Sequence, residues 1–248
     1  MKYIWIDIGT HFAQEYNSIF GSNIKFLIKI SKNIFDNYLF NKRIPKIDDI
    51  FDLIKNRIEL KKKKDKFYFV FVEANPRIFF FKKKYQEADI AFNIAITDNF
   101  KYSKFPKKKT KLYILGNDFF SQGNSIYSKT KRSNFDKNKF IWTKGISANN
   151  FFLSLKKRLD RNFNKYKIIL RLNCEGAEDT IVYETHKIFK NNLSILSGSF
   201  QDVKNIKGRK AYKTFQKFLK EKKIKTYLFT SKVDSWNKIF KKINRTVK

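Results

Sequence analysis

The sequence is poor in cysteine, histidine and long apolar runs, and each shortage excludes a class of protein. Cys174 is the only cysteine among the 248 residues, which excludes an internal disulfide framework and a cysteine-based zinc cluster. Lys, Asn or Asp interrupts every apolar run before it reaches the length of a membrane-spanning helix. The N-terminus has neither the basic region nor the cleavage site of a secretion signal. We therefore expect a cytoplasmic protein without a membrane span.

Acidic residues are scarce relative to basic ones, and the formal net charge is +33. Such a charge attracts polyanions, among them nucleic acid, anionic lipid and acidic polysaccharide. However, Lys, Asn, Ile and Phe are in excess together while glycine and proline are scarce, which is the bias that an AT-rich genome imposes on any protein. The basic residues are also spread along the whole chain. We therefore attribute the charge mainly to composition and keep nucleic acid as the less favoured partner.

What the chain does have is enough apolar residues, 42%, for one domain over residues 1–248 with a substantial core. Tyr3 to Ile6 are apolar without a break, which predicts a strand buried on both faces. Asp7 ends this run, Gly9 permits a tight turn, and helical spacing follows. This order is typical of the first unit of a nucleotide-binding α/β sheet, whose ligands bind at the carboxyl ends of parallel strands. The alternative is an ordinary first strand whose Asp7 caps the next helix.

The turn after the first strand is too poor in glycine for the common phosphate-binding motifs. A dinucleotide fingerprint has three glycines and a Walker-type loop ends in Gly-Lys-Ser/Thr, and neither pattern occurs here. An Asp followed by a turn with one glycine suits a ligand without a pyrophosphate and with some positive charge. S-Adenosylmethionine, a sulfonium with an amino-acid tail, fits this description.

Three further apolar runs end on polar residues. They lead into Glu73-Ala74-Asn75-Pro76, into Thr97-Asp98 after the run Ile90 to Ile96, and into Asn173-Cys174-Glu175-Gly176-Ala177-Glu178. An acidic residue after the second strand can accept hydrogen bonds from two ribose hydroxyls. Glu175 and Glu178 are three residues apart and would share one face of a helix. Because each strand is followed by polar residues, we expect these residues to form one binding site at the same edge of the sheet.

The segments between and after these strands predict additions to a simple sheet. Residues 24–64 form a long insertion whose apolar spacing predicts two helices separated at Pro45, and these could cover a cofactor or form part of an acceptor pocket. Residues of about 100–145 alternate short β-like runs with turns, which predicts a small antiparallel addition. Its polar side chains could contact an acceptor, although an exposed hairpin explains each of them equally well: Ser121, Gln122, Asn124 and Ser125. The last third predicts helices at 147–162 and 208–222, strands at Leu193 to Leu196 and Lys225 to Thr230, and a closing helix around Trp236.

Taken together, the motifs resemble those of the FkbM-type S-adenosylmethionine-dependent methyltransferases. They occur in the family's order: Asp7-Ile8-Gly9-Thr10-His11-Phe12-Ala13, Glu73-Ala74-Asn75-Pro76, Ala95-Ile96-Thr97-Asp98 and Arg171-Leu172-Asn173-Cys174-Glu175-Gly176-Ala177-Glu178. The resemblance covers residues of about 3 to 200, and the insertion at 24–64 lies outside the family's pattern. It implies an α/β, Rossmann-like methyltransferase fold with a mostly parallel central sheet flanked by helices.

The resemblance also implies roles for individual residues. Asp7, Gly9 and Thr10 would line the methionine part of S-adenosylmethionine, Glu73 would hold the ribose, and Asn75 would lie beside the nucleoside. We add His11 and Asp98 to the expected cofactor-binding residues. Asn173, Glu175 and Glu178 are the expected catalytic positions. Three residues depart from the family: Asn173 replaces Asp, Arg171 replaces Lys and Ala74 replaces Pro, and Asn173 cannot act as a carboxylate base.

These observations favour an O-methyltransferase that acts on a hydroxyl of a glycan or another small polar acceptor. Methyl transfer is an in-line displacement that depends on positioning, and a hydroxyl nucleophile benefits from a nearby proton acceptor. The candidate acceptors of that proton are Glu175, Glu178, Asp98 and His11, and we expect no metal. One alternative is a basic nucleic-acid-binding protein or a nucleic-acid methyltransferase on the same fold, although no Asn/Asp-Pro-Pro-Tyr/Phe motif occurs. Another is a cofactor-binding fold without activity, which Asn173 permits.

Overall fold

The computed structural model describes residues 1–41, 45–97, 109–115, 124–128, 135–228 and 233–247. The elements in chain order are β1 (Lys2–Ile8), α1 (Gln14–Phe20), α2 (Asn23–Asn41), α3 (Ile47–Lys62), β2 (Phe67–Val72), α4 (Pro76–Phe79), β3 (Ile90–Phe92), β4 (Ala95–Thr97), β5 (Lys109–Leu115), β6 (Phe135–Ser147), α5 (Ala148–Asn162), β7 (Tyr166–Leu172), α6 (Glu178–Phe189), β8 (Leu193–Gly198), α7 (Gln201–Glu221), β9 (Thr226–Tyr227) and α8 (Val233–Thr246). No helix in these ranges is long and apolar enough to cross a membrane.

Six strands form a central parallel sheet in the order β3-β2-β1-β7-β8-β9. β2 and β3 follow on one side of β1, and β7, β8 and β9 follow on the other side. The topological switch point therefore lies between β1 and β7. Helices flank the sheet, which confirms the predicted α/β class and is consistent with a Rossmann-like fold. In the described part of the chain the edge strand β9 is also parallel, and α8 follows it.

The sheet separates two apolar cores, because alternate residues of each strand point to opposite faces. Along β1, Ile4 and Ile6 pack into the core under α5, α6 and α7, whereas Tyr3 and Trp5 pack into the core under α1, α2, α3 and α8. The strand is therefore covered on both faces, as its unbroken apolar run predicts.

The insertion forms the two predicted helices, α2 and α3, and α3 packs against the C-terminal helix α8. The buried Arg57 side chain holds the insertion to α1: its Nε donates to Ser18 O at 2.8 Å and its Nη1 to Asn23 Oδ1 at 2.6 Å. At the other end of the layer, the Tyr3 hydroxyl donates to Thr246 O at 2.7 Å. None of the described residues of the insertion lines the pocket described below. The insertion therefore does not contribute to this pocket, and the expectation that it could cover a cofactor or form part of an acceptor pocket stays untested.

The antiparallel addition is confirmed in the pairing of β5 with β6, and β4 joins β6 in parallel to make a second, three-stranded sheet. The prediction of one strand over Ile90 to Ile96 is wrong, because this run divides between the two sheets. The division falls at Asn93, whose Nδ2 donates to Glu73 O at 2.8 Å. Ser121 and Gln122 lie outside the described residues.

The last third differs from its prediction in extent. Helix α7 begins at Gln201 rather than 208, with a kink at Gly208, where φ is +91°. The predicted strand at Lys225 to Thr230 is β9, of two residues, and positions 229 and 230 lie outside the described ranges.

Candidate active site

The carboxyl ends of β1, β2 and β7 are joined by backbone hydrogen bonds at the switch point. Gly9 N donates to Val72 O at 2.9 Å, and Asn173 N donates to Ile8 O at 3.0 Å. Gly9 has a φ of +73°, and a Cβ on it would lie 2.0 Å from Asn173 O. Only glycine fits here, because any side chain would both strain the backbone and clash with β7.

A pocket opens where these strand ends meet the second sheet. Its empty volume is about 680 Å³, including space open to solvent, so it is a cleft and not a closed cavity. The residues around it are Ile8, Gly9, His11, Gln14, Val72, Glu73, Ala74, Ile78, Ile94, Ala95, Ile96, Leu112, Asn124, Ile126, Arg171, Asn173, Cys174 and Glu175. Of the predicted site residues, the pocket brings together Gly9, His11, Glu73, Asn173 and Glu175.

Asp7 lies behind the pocket wall in a buried ion-pair network. Its Oδ1 accepts a hydrogen bond from Arg171 Nη1 at 3.0 Å and its Oδ2 accepts one from Thr10 Oγ1 at 3.0 Å. Arg171 also donates to Gly9 O at 2.8 Å and to Glu15 Oε1 at 2.5 Å. Asp7 and Thr10 are fully buried and do not line the pocket, so in this structure they fix the turn rather than face a ligand.

Burial dominates the electrostatics of this network. It raises the pKa of Asp7 to about 6, although the Arg171 charge acts in the opposite direction. Glu15 Oε2 and Arg171 Nε are buried without a hydrogen-bond partner among the described residues. Two carboxylates therefore share one guanidinium with incomplete hydrogen bonding, which makes this a costly arrangement that depends on every partner present.

Glu73 lies on the β2 side of the pocket and anchors the β1–α1 turn. Its Oε2 accepts a hydrogen bond from His11 N at 2.7 Å, and its Oε1 accepts one from Asn75 N at 2.8 Å. Burial raises its pKa to about 7. Each carboxylate oxygen has a second lone pair, so Glu73 can hold the turn and still accept hydrogen bonds from a ligand.

The β7–α6 turn forms the opposite side of the pocket, and its two glutamates have different surroundings. Glu175 lines the pocket. Glu178 does not line it: its Oε1 accepts from Cys174 N at 3.2 Å and its Oε2 accepts from Gly176 N at 2.8 Å. Burial raises the pKa of Glu178 to about 7 and raises the pKa of the Cys174 thiol. Glu178 thus holds the turn in shape, and Glu175 is the acidic residue of this turn that lines the pocket.

Three of the five described non-glycine residues with positive φ lie in the two turns beside the pocket, and the other two, Lys190 and Lys223, lie elsewhere. His11, Ala13 and Glu175 have positive φ values of 52°, 53° and 51° without being glycine. Such residues are disfavoured by about 1–3 kcal/mol each and cluster at functional sites, because the surrounding structure must hold them in place.

One predicted cofactor residue lies elsewhere, and another is not described. Asn75 is fully buried, and its Oδ1 accepts from Arg77 N at 2.9 Å, so it caps α4 instead of lining the pocket. Asp98 lies outside the described residues.

The second sheet supplies a wall that the sequence did not predict in detail. Leu112 of this sheet and Ile126 of the adjoining segment 124–128 give it an apolar surface, and of the two predicted polar residues that the structure describes, Asn124 lines the pocket and Ser125 does not. Thr143 Oγ1 donates to Ala74 O at 2.6 Å and Ser125 Oγ donates to Glu175 O at 2.7 Å, which attaches this sheet to both sides of the site.

Among the residues that line the cleft, Glu73 and Glu175 carry carboxylates and Asn173 carries an amide, and the walls around them are largely aliphatic. In the described residues no group of His, Cys, Asp or Glu is arranged to hold a metal ion. Comparison with protein-family models, with curated proteins and with solved structures gives no match.

Proposed function

We propose that the protein is an S-adenosylmethionine-dependent methyltransferase that transfers a methyl group to a hydroxyl of a glycan or another small polar acceptor. The observation that carries this proposal is the position of Glu73 and Glu175 on the two sides of one cleft at the β1/β7 switch point. Glu73 suits the ribose hydroxyls of the cofactor, and the aliphatic wall from Ile96 and Leu112 suits its adenine.

The chemistry requires positioning and one proton acceptor. When bound, S-adenosylmethionine supplies an electrophilic methyl group on a sulfonium. In this proposal Glu175 accepts the proton of the acceptor hydroxyl, because it is an acidic side chain of the β7–α6 turn that lines the pocket. Asn173 orients the acceptor, and Glu178 is a positioning residue that maintains the turn. The Asp7–Arg171 pair keeps the strand ends at a fixed separation.

One surface favours nucleic acid as an alternative acceptor. On the outward face of the β5–β6 ladder, Trp142 is 55% exposed and Lys111 Nζ lies 4.1 Å from the centre of the Phe140 ring. Aromatic side chains beside lysines on a sheet can stack bases and contact phosphates. The inward face of the same ladder contributes Leu112 to the pocket, so a strand bound outside would lie near the cleft.

Calorimetric titration tests the cofactor first. We expect S-adenosylmethionine to bind the wild type, and Glu73→Gln to weaken binding by at least about tenfold, or 1.4 kcal/mol. Glu87→Gln, which removes an exposed carboxyl paired with Lys64, is the matched control and should leave binding unchanged. The all-parallel strand order is shared with dinucleotide-binding sheets, so NAD⁺ is titrated in parallel. No heat with S-adenosylmethionine at millimolar concentration, from protein shown to be folded by circular dichroism, would end the proposal.

The acceptor class is tested with a labelled methyl donor. Incorporation into a glycan extract that Glu175→Gln abolishes supports the proposal. Incorporation of the label into RNA or DNA that Trp142→Ser reduces would instead support nucleic acid as the acceptor.

A further inference from the structure

Helix α2 has apolar side chains on two opposite faces, and among the described residues only one of these faces is packed against the rest of the chain. Phe26 and Ile30 are buried against α8 and the sheet, each 3% exposed. The other face exposes six large apolar side chains by about half or more: Ile24 (70%), Leu27 (49%), Ile28 (63%), Phe35 (61%), Tyr38 (56%) and Leu39 (54%). We call these six residues the α2 stripe.

The α2 stripe is continuous along the helix. At about 100° per residue its six members fall within a sector of about 120°, in which Ser31 is the one polar residue. Scattered apolar side chains on a surface are ordinary, but a continuous patch of this kind marks an interaction site. The stripe contributes nothing to the pocket, so its role is separate from the proposed methyl transfer.

The charges beside the stripe are positive. Lys25 and Lys32 are exposed and flank the same side of it, and the third lysine of the helix, Lys29, is turned inward, with its Nζ 2.9 Å from Ser18 Oγ. Asp36 is the single acidic residue of α2. In the sequence Lys42 and Arg43 follow the helix, and the whole chain carries +33.

We propose that the α2 stripe docks on the surface of an anionic lipid bilayer, with the helix lying in the plane of the interface. An apolar face with Leu, Ile and Phe bordered by lysines is the pattern of interfacial helices, which combine apolar burial with attraction to anionic lipid. The net charge of the chain also favours an anionic membrane over a second copy of the chain as the partner of the α2 stripe. Two copies of a chain at +33 repel each other, whereas an anionic surface is attracted.

Vesicle co-sedimentation at physiological salt tests the proposal. We expect the wild type to bind phosphatidylglycerol-containing vesicles and to bind pure phosphatidylcholine much more weakly. The double variant Leu27→Ser/Phe35→Ser leaves the charge unchanged and should bind anionic vesicles at least about tenfold more weakly. The control Leu153→Ser/Leu228→Ser removes two exposed apolar side chains elsewhere, 51% and 58% exposed, and should bind as the wild type does.

Insertion is measured separately, so that charge attraction alone is distinguished from docking. Leu27→Cys in a Cys174→Ser background is labelled with an environment-sensitive fluorophore, and Leu153→Cys is the matched control. A blue shift with anionic vesicles at position 27 and none at 153 supports the proposal. Equal binding by the two double variants, or no shift at position 27, would overturn it. So would a wild-type dimer that the Leu27→Ser/Phe35→Ser variant converts to a monomer without any change in vesicle binding.

Discussion

Arg171 Nη1 lies 3.0 Å from Asp7 Oδ1, on the neighbouring strands between which the sheet changes its direction of growth. The two residues are directly opposite in the ladder of β1 and β7. The pair connects the turn after β1, through Thr10 and Gly9, to the strand that carries the Asn173–Glu178 turn. Arg171 therefore links the pocket wall, of which it is a part, to the buried carboxylates of Asp7 and Glu15 behind it.

Removing the guanidinium should destabilise the fold strongly. Arg171→Met leaves Asp7 and Glu15 buried beside each other without a cation, and we expect the free energy of unfolding to fall by about 3–5 kcal/mol in urea denaturation. Lys217→Met, which removes an exposed partner of Glu221, should change it by less than about 0.5 kcal/mol. The double variant Asp7→Asn/Arg171→Met should recover part of the lost unfolding free energy. A loss below about 1 kcal/mol in Arg171→Met alone would contradict the view that the fold depends on this ion-pair network.

The stability should depend on pH through Glu178. Burial raises its pKa from 4.5 to about 7 in the folded protein, so the folded state binds this proton more tightly than the unfolded chain does. The resulting stabilisation is fully present below about pH 4.5 and is lost as the pH rises through about 7. Relative to Glu178→Gln, the wild type should therefore lose up to about 3 kcal/mol of unfolding free energy over this interval.

The measurement for Glu178 is urea denaturation of both proteins across this pH range. Glu221→Gln, which removes a carboxyl from the exposed surface, is the matched control. A difference between wild type and Glu178→Gln that stays constant with pH would contradict the assignment.

Replacing Gly9 with alanine should lower the stability of the fold more than replacing Gly208 with alanine. Both have positive φ, but a Cβ on Gly9 would meet Asn173 O at 2.0 Å, whereas a Cβ on Gly208 meets nothing within 4 Å. Gly208→Ala should cost about 1–3 kcal/mol of backbone strain, and Gly9→Ala should cost clearly more because the β1 and β7 ends must separate. Thermal unfolding ranks the two variants, and equal losses would show that the contact between Gly9 and Asn173 is unimportant.

The hydroxyl of Thr143 should contribute to holding the second sheet on the pocket. Thr143→Val keeps the shape of the side chain but removes the hydrogen bond to Ala74 O, and we expect a loss of about 1 kcal/mol in unfolding free energy. Thr110→Val, opposite Thr143 on β5, is the matched control. Hydrogen exchange at the amides of β6 should increase in Thr143→Val and not in the control.

The sequence predicts the layout well where one pattern decides it. The apolar runs ending at Ile6, Val72 and Leu172 do form neighbouring parallel strands, so the convergence of Gly9, Glu73 and Asn173 follows from strand direction alone. The helices of the insertion likewise follow from their spacing, because an amphipathic period does not depend on distant partners.

The role of each side chain was less predictable, because it depends on pairing between strands. The register of β1 against β7 decides that Arg171 lies opposite Asp7, and the sequence does not give this register. Only the structure therefore shows that Asp7 is already paired with Arg171. In the same way, the sequence gives no reason to distinguish Glu175 from Glu178, but their surroundings differ. Glu175 lines the pocket, whereas Glu178 accepts backbone hydrogen bonds from its own turn. The division of Ile90 to Ile96 between two sheets depends on Asn93 and on the partner β6, which lies some fifty residues later.

The hydrogen bond between Tyr3 and Thr246 joins the first strand to the last helix. Tyr3 and Trp5 can pack against Phe67 early in synthesis, whereas Trp236 and Phe240 of the same core are synthesised much later. Contacts this distant in the chain form late and slow the search for the native state. The core on this face of the sheet therefore stays incomplete until α8 has been synthesised, and chains that lack α8 should expose aromatic surface that chaperones can bind.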